Sequence, residues 1–186
     1  MVFTINLSAL WLNWLKKQIT KMLSEEKIVV AYTDSPIGIL KILFELDSHA
    51  VIKISKEKSL KNIKKSKFVE AFIQELSLYF KGQLYEFKYP VKLFLKSEFQ
   101  KKVLEKILKI PYGKTVTYKK LAEQLNTSPR AIGQALKFNP LPIVFPCHRV
   151  IKTNGEIGGY SLGIDAKIFL LNHEKTILYK LRSHKV

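Results

Sequence analysis

Cysteine is almost absent from this 186-residue chain, with Cys147 the only one. A single thiol excludes an internal disulfide framework and a cysteine-rich zinc site, and it suits a reducing, cytoplasmic setting. Long apolar runs are missing too. Residues 1–23 lack the basic start and unbroken apolar core of a secretion signal, and they are too short and too charged to span a bilayer. Acidic residues are scarce, 15 against 32 basic ones, for a net charge of +17. The excess grows along the chain: 15 basic and 9 acidic residues up to position 92, then 17 and 6 beyond it. Such a balance favours a polyanionic partner through phosphate contacts and counterion release. It does not decide the matter, because 29 of the basic residues are lysine, a bias that composition alone can produce.

Apolar residues make up 47% of the chain, enough for one core or for two small lobes. In residues 1–23, Leu7, Leu10, Trp11, Trp14, Leu15, Ile19, Met22 and Leu23 repeat with the rhythm of one helical face. An amphipathic helix packed on its own domain is expected there. Residues 28–34, 38–47 and 50–55 are rich in β-branched and large apolar side chains, separated by Asp34-Ser35-Pro36 and Asp47-Ser48, which predicts an antiparallel meander. Seven lysines and one acid between Lys53 and Lys67 describe a solvated connection. A helix follows over 68–80, stopped by Gly82, and another over 98–110 with Phe99, Val103, Leu104, Ile107 and Leu108 on its buried face. The expected fold is α+β. Residues 1–92 form an N-terminal domain with a small antiparallel sheet and helices; residues 93–186 form a mostly α domain containing a helix-turn-helix.

That motif lies in 117–139. Thr117 caps a short helix that breaks at Asn126-Thr127; Ser128 caps the next, with Pro129 at its first position. Ile132, Ala135 and Leu136 share one side of this second helix. The other side is small and flat around Gly133, with Arg130 at its start. A helix approaching a nucleic-acid groove needs such a lack of bulk, although Gly133 could equally serve helix packing.

Residues 139–151 read NPLPIVFPCHRVI. The apolar run and three prolines before Cys147 imply a thiol in a pocket or core, where desolvation keeps it protonated and inert unless a base or positive field is near. His148 is adjacent, but neighbouring side chains in an extended segment point apart, so the doublet alone fits a structural thiol as well as a nucleophile. A water-bridged relay, with Glu174 orienting the imidazole, would make it reactive. No histidine spacing suggests a metal.

The run Pro146-Cys147-His148-Arg149-Val150 resembles the signature of the O6-alkylguanine-DNA alkyltransferases, the methylated-DNA–protein-cysteine methyltransferases. The likeness extends in order and spacing to Ile110-Pro111-Tyr112-Gly113, Thr117-Tyr118, Ser128 through Gly133, Asn139-Pro140, Gly159-Tyr160-Ser161 and His173-Glu174. It covers about residues 95–175.

The resemblance implies an enzyme that moves an alkyl group from O6-alkylguanine, and from O4-alkylthymine, in double-stranded DNA onto Cys147, once per molecule and without a cofactor or metal. It assigns Cys147, His148, Glu174 and Tyr118 to the chemistry. Asn139, Val150 (through its carbonyl), Tyr160 and Ser161 join Tyr118 around a flipped base. Ser128 and Gly133 would let the second helix approach the minor groove, and Arg130 would fill the gap in the stack. Lys119, Gln100 and Thr153 would contact the DNA backbone. Leu162 stands where many relatives carry a smaller residue and is expected to narrow the pocket. Nothing requires an oligomer, so a monomer is expected. Two rival readings are a module that binds alkylated DNA without repairing it, against which the presence of Cys147 speaks, and a helix-turn-helix regulator, which would want polar base-reading side chains on the second helix. A cysteine hydrolase would need an oxyanion-hole signature.

Overall fold

The computed structural model describes residues 27–61 and 66–183. The helix expected over 1–23 lies outside them. Three strands, β1 (Ile28–Thr33), β2 (Leu40–Glu45) and β3 (Val51–Lys56), form an antiparallel sheet in the order β1-β2-β3. Ile28 faces Glu45 and Leu40 faces Lys56 at its corners, with a register irregularity at Leu43/Phe44. Alternation puts Leu40, Ile42 and Phe44 on the inner face, all fully buried. Helix α1 (Lys67–Phe80) covers that face with Val69, Phe72, Leu76 and Tyr79. Phe44 meets Phe68 and Phe72 edge to face, with ring centroids 5.6 and 5.9 Å apart. The meander and its helix match the expected α+β class.

The C-terminal half is helical. Helix α2 (Glu98–Leu108) starts at Ser97, whose hydroxyl accepts from Gln100 N, and buries Val103, Leu104 and Ile107. Leu108 is a correction: at 48% exposure it falls just outside the buried stripe. Helix α3 (Tyr118–Gln124) is capped by Thr117, and α4 (Pro129–Lys137) by Ser128, with Ile132, Ala135 and Leu136 inward. The break between them passes through Asn126 in the left-handed region. The last helix, α5 (Ile164–Ser183), buries Ala166, Lys167, Leu170 and Glu174. A short parallel pair, β4 (Val116–Thr117) with β5 (Val150–Ile151), ties the entrance of the helix pair to the strand just after Cys147. The expected boundary at 92 falls in the extended stretch between α1 and α2, but the buried side chains on both sides form one cluster from Ala31 to Leu170.

Gln100 departs from its expected place on the DNA backbone. Its side chain is 3% exposed, and its amide donates to the carbonyls of Ala135 and Phe138 while its oxygen accepts from Lys96 N. The amide nitrogen holds α2 against the end of α4 and the oxygen closes the start of α2 itself, so neither side-chain polar atom is left for a phosphate. Gln100→Ala strands these groups without partners and is expected to cost about 2 kcal/mol of folding stability in urea titration; a loss confined to DNA affinity would contradict this role.

Candidate active site

The loop from Asn139 to Cys147 is pinned by the Asn139 amide. Its oxygen accepts from Leu141 N at 3.0 Å, and its nitrogen donates to Phe145 O at 2.9 Å and to the Cys147 sulfur at 3.1 Å. Within this loop Ile143 holds φ +78°, a strained conformation for a β-branched residue costing on the order of 1–3 kcal/mol. Cys147 opens a single 3₁₀ turn, Cys147–Arg149, and is 5% exposed. Burial pushes its thiol up to about 11; the Asn139 hydrogen bond and the Lys167 charge oppose this without overcoming it. At neutral pH the sulfur therefore carries its proton, and a nucleophilic step needs a base.

The base site lies just beyond. His148 is fully buried, and its Nε2 sits 2.9 Å from Glu174 Oε1. Glu174, on α5, is 1% exposed and takes five hydrogen bonds. Tyr79 Oη, His148 Nε2 and Arg149 Nη2 reach Oε1 at 2.8, 2.9 and 2.9 Å. Gly113 N and Arg149 Nε reach Oε2, both at 2.9 Å. Burial pushes this carboxyl up, but hydrogen bonds from His148 and Arg149, with the Arg149 charge, outweigh burial and hold it at about 2. It is ionised at neutral pH, and an ionised carboxylate only accepts. The His148 proton therefore resides on Nε2, and Nδ1 keeps its lone pair; that atom is buried without a hydrogen-bond partner among the described residues. Burial also lowers the imidazole's affinity for a second proton, partly offset by Glu174, so His148 is neutral at rest.

The thiol faces a pocket of about 590 Å³ lined by Tyr118, Gly133, Leu136, Lys137, Cys147, Gly159, Tyr160 and Ser161. Five residues singled out in the sequence (Tyr118, Gly133, Cys147, Tyr160 and Ser161) thus converge on one cavity. Gly133 has open space where a Cβ would point, so its smallness does not serve helix packing. Ser128 and Arg130 are exposed at the start of α4, as are Lys119 and Thr153 elsewhere, outside the pocket lining. Leu162 corrects an expectation: at 3% exposure it packs in the core and does not line the cavity. Val150 is fully buried, and its carbonyl already accepts from Lys167 Nζ at 2.7 Å. Among the described residues no cluster of histidine, cysteine or acidic side chains could hold a metal.

Residues 98–176 match the DNA-binding domain of 6-O-methylguanine DNA methyltransferase. A methylated-DNA–protein-cysteine methyltransferase from Methanocaldococcus jannaschii is 52% identical over 89 residues, 48% of this chain and 53% of its own length. One from Saccharolobus solfataricus is 47% identical over 109 residues, 59% of this chain and 70% of its own. The chain belongs to the methylated-DNA–protein-cysteine methyltransferase family. The crystal structure of a Mycobacterium tuberculosis OGT in complex with DNA superimposes with a TM-score of 0.68 at 32% identity, covering 80% of this chain and 93% of that one. The match spans only about half the length of the Methanocaldococcus methyltransferase.

Three members of this site carry no clear signal in the sequence. Arg149 stood within the cysteine motif but was given no role. Lys167 is fully buried, donating to Val150 O at 2.7 Å and Gly159 O at 3.4 Å. The available signal was a charged residue on the apolar stripe of α5, beside Ala166 and Leu170. Tyr79 had no signal, since its partner lies 95 positions away.

The Glu174 carboxyl sits well below the ordinary glutamate value of 4.5, so its contribution to stability is complete above that value and is lost as pH falls towards about 2. Glu174→Gln is expected to be less stable at pH 7 by roughly 3 kcal/mol, with the difference from the native chain shrinking between pH 4.5 and 2.5. Urea midpoints across that range check this; a constant difference would contradict the assignment.

Proposed function

We propose that this protein repairs DNA by transferring the alkyl group of O6-alkylguanine, and of O4-alkylthymine, irreversibly to Cys147. The single observation that carries the reading is the pairing of a protonated thiol, open to a base-sized pocket, with a neutral histidine whose Nδ1 is free and whose Nε2 is fixed on a carboxylate. In this reading Glu174 orients His148, and His148 Nδ1, through a water, takes the Cys147 proton. The sulfur then attacks the alkyl carbon, the C–O bond breaks, and the guanine oxygen leaves with the bonding pair. Tyr118, in the pocket wall, would donate to the ring as that charge develops. Tyr160 and Ser161 would close the other side.

A thiol this buried cannot reach O6 inside a duplex, so the base must leave the stack. The open space at Gly133 supports close approach of α4 to a groove, with Ser128 and Arg130 at its exposed start to meet the strand and fill the gap. Lys119 and Thr153, both exposed, would serve the backbone. The thioether has no easy route back to a thiol, so each molecule acts once. The protein acts alone, as a monomer, in the cytoplasm, where the thiol stays reduced.

Incubation with a duplex bearing one O6-methylguanine, followed by intact-protein mass spectrometry, tests the reading. A gain of about 14 Da in the native chain, absent in Cys147→Ala, is expected. Tight binding of the lesion duplex with no gain in mass would sink it and favour a lesion-binding module.

A further inference from the structure

We infer that Tyr79, a residue of the N-terminal half, is a positioning residue for the alkyl transfer: its hydroxyl holds Glu174 Oε1 and sets how strongly that oxygen draws on the His148 imidazole. The inference rests on transfer to Cys147 with His148 as base. It gives the first 92 residues a part in the chemistry beyond supporting the fold.

Tyr79 is fixed at three points. It sits on the buried side of α1 at 1% exposure. Its carbonyl accepts from His173 Nε2 at 3.0 Å, and its hydroxyl donates to Glu174 Oε1 at 2.8 Å, so neighbouring residues of α5 grip both ends of it. Just past α1, Gly82 turns the chain with φ +70°, and a Cβ there would lie 2.5 Å from Ile177 of the same helix. The end of α1 is therefore held against α5, which leaves the phenol little freedom.

The phenol stays protonated and donates to the carboxylate. Burial, and then the Glu174 charge, push its ionisation far above the ordinary tyrosine range. On Oε1 it competes with His148 Nε2 and Arg149 Nη2, three donors on an oxygen with two lone pairs. A hydrogen bond to an ionised acceptor is about twice as strong as a neutral one, so removing this donor leaves measurably more charge for the other two. The groups facing His148 are Glu174, Arg149, Lys167 and the ring of Tyr160, whose centroid lies 6.2 Å away. Of these only Glu174 is an anion at rest, so the imidazolium depends on it for stabilisation. Without the Tyr79 hydroxyl, Glu174 favours the imidazolium more and the base is blocked by a proton at higher pH. Tyr112 is the natural control. It packs 6.0 Å from the Tyr79 ring, but its buried hydroxyl makes no hydrogen bond among the described residues.

The test compares native chain, Tyr79→Phe and Tyr112→Phe by single-turnover methyl transfer from pH 5 to 8 and by NMR titration of the His148 imidazole. In Tyr79→Phe the acid fall-off of the rate and the His148 titration should both move to higher pH. The rate at pH 5.5, relative to its own plateau, should drop about threefold below native. Tyr112→Phe should match native. If Tyr79→Phe loses its fold, 3,5-difluorotyrosine at position 79, a stronger donor, should move both profiles to lower pH. Unchanged profiles in a folded Tyr79→Phe, or an equal shift in Tyr112→Phe, would overturn the inference. If the native chain transfers no methyl group, the proposed function fails, while the His148 titration still decides the role of Tyr79.

Discussion

A carboxylate that is 1% exposed survives only where donors replace its lost water, and Glu174 has five of them. They come from four residues in three places: Tyr79 on α1, Gly113 before β4, and His148 and Arg149 in the turn that opens at Cys147. Gly113 contributes because its backbone runs against α5, where a Cβ would lie 2.9 Å from Leu178 and 3.1 Å from Glu174 O. Arg149 extends the net by donating to Ile110 O at 2.7 Å. Replacing such an ionic cluster with packed apolar side chains is often neutral for stability, whereas removing one member is costly. What the cluster specifies is arrangement: it fixes the end of α1, the turn before β4 and the cysteine turn against one helix.

The chemistry follows from that arrangement. Because Glu174 is ionised, His148 has to present Nε2–H to it, and Nδ1 is left with its lone pair, the base of the proposed transfer. Because Arg149 neutralises much of the carboxylate and burial disfavours a second cation, the imidazole stays neutral and ready to accept a proton. The thiol is held from the other side, through the Asn139 amide, which also closes the strained loop through Ile143. Lys167 reaches the carbonyls of both Val150 and Gly159, joining the strand behind the cysteine to the segment that covers the pocket. The Cys147 sulfur is thus kept protonated and buried at the edge of the cavity.

Much of this was legible in the residues alone. The strands alternate cleanly enough for their ends to be placed within a few residues, and Thr117, Ser128 and Pro129 mark the helix pair because caps act through local hydrogen bonds. Ile132, Ala135 and Leu136 keep a helical period that packing obeys. Cys147, His148 and Glu174 came together because a known signature joins them; spacing alone left Cys147 as easily structural. The remainder depends on distance in the chain. The two-residue pair of β4 and β5 is too short to carry a period. Gln100 is put on the DNA backbone by the resemblance alone, because nothing local reveals that the carbonyls of Ala135 and Phe138 need its donors. Leu162 is expected at the pocket from the smaller residue that relatives carry there, yet its side chain turns into the core.

The central claim is the state of His148, neutral, with its proton on Nε2 and Nδ1 free. Nitrogen-15 NMR of the imidazole in the full chain at pH 7 reads this directly. A non-protonated Nδ1 together with an Nε2–H strongly shifted by a charged acceptor is predicted. An imidazolium, or the opposite tautomer with the proton on Nδ1, would contradict the account.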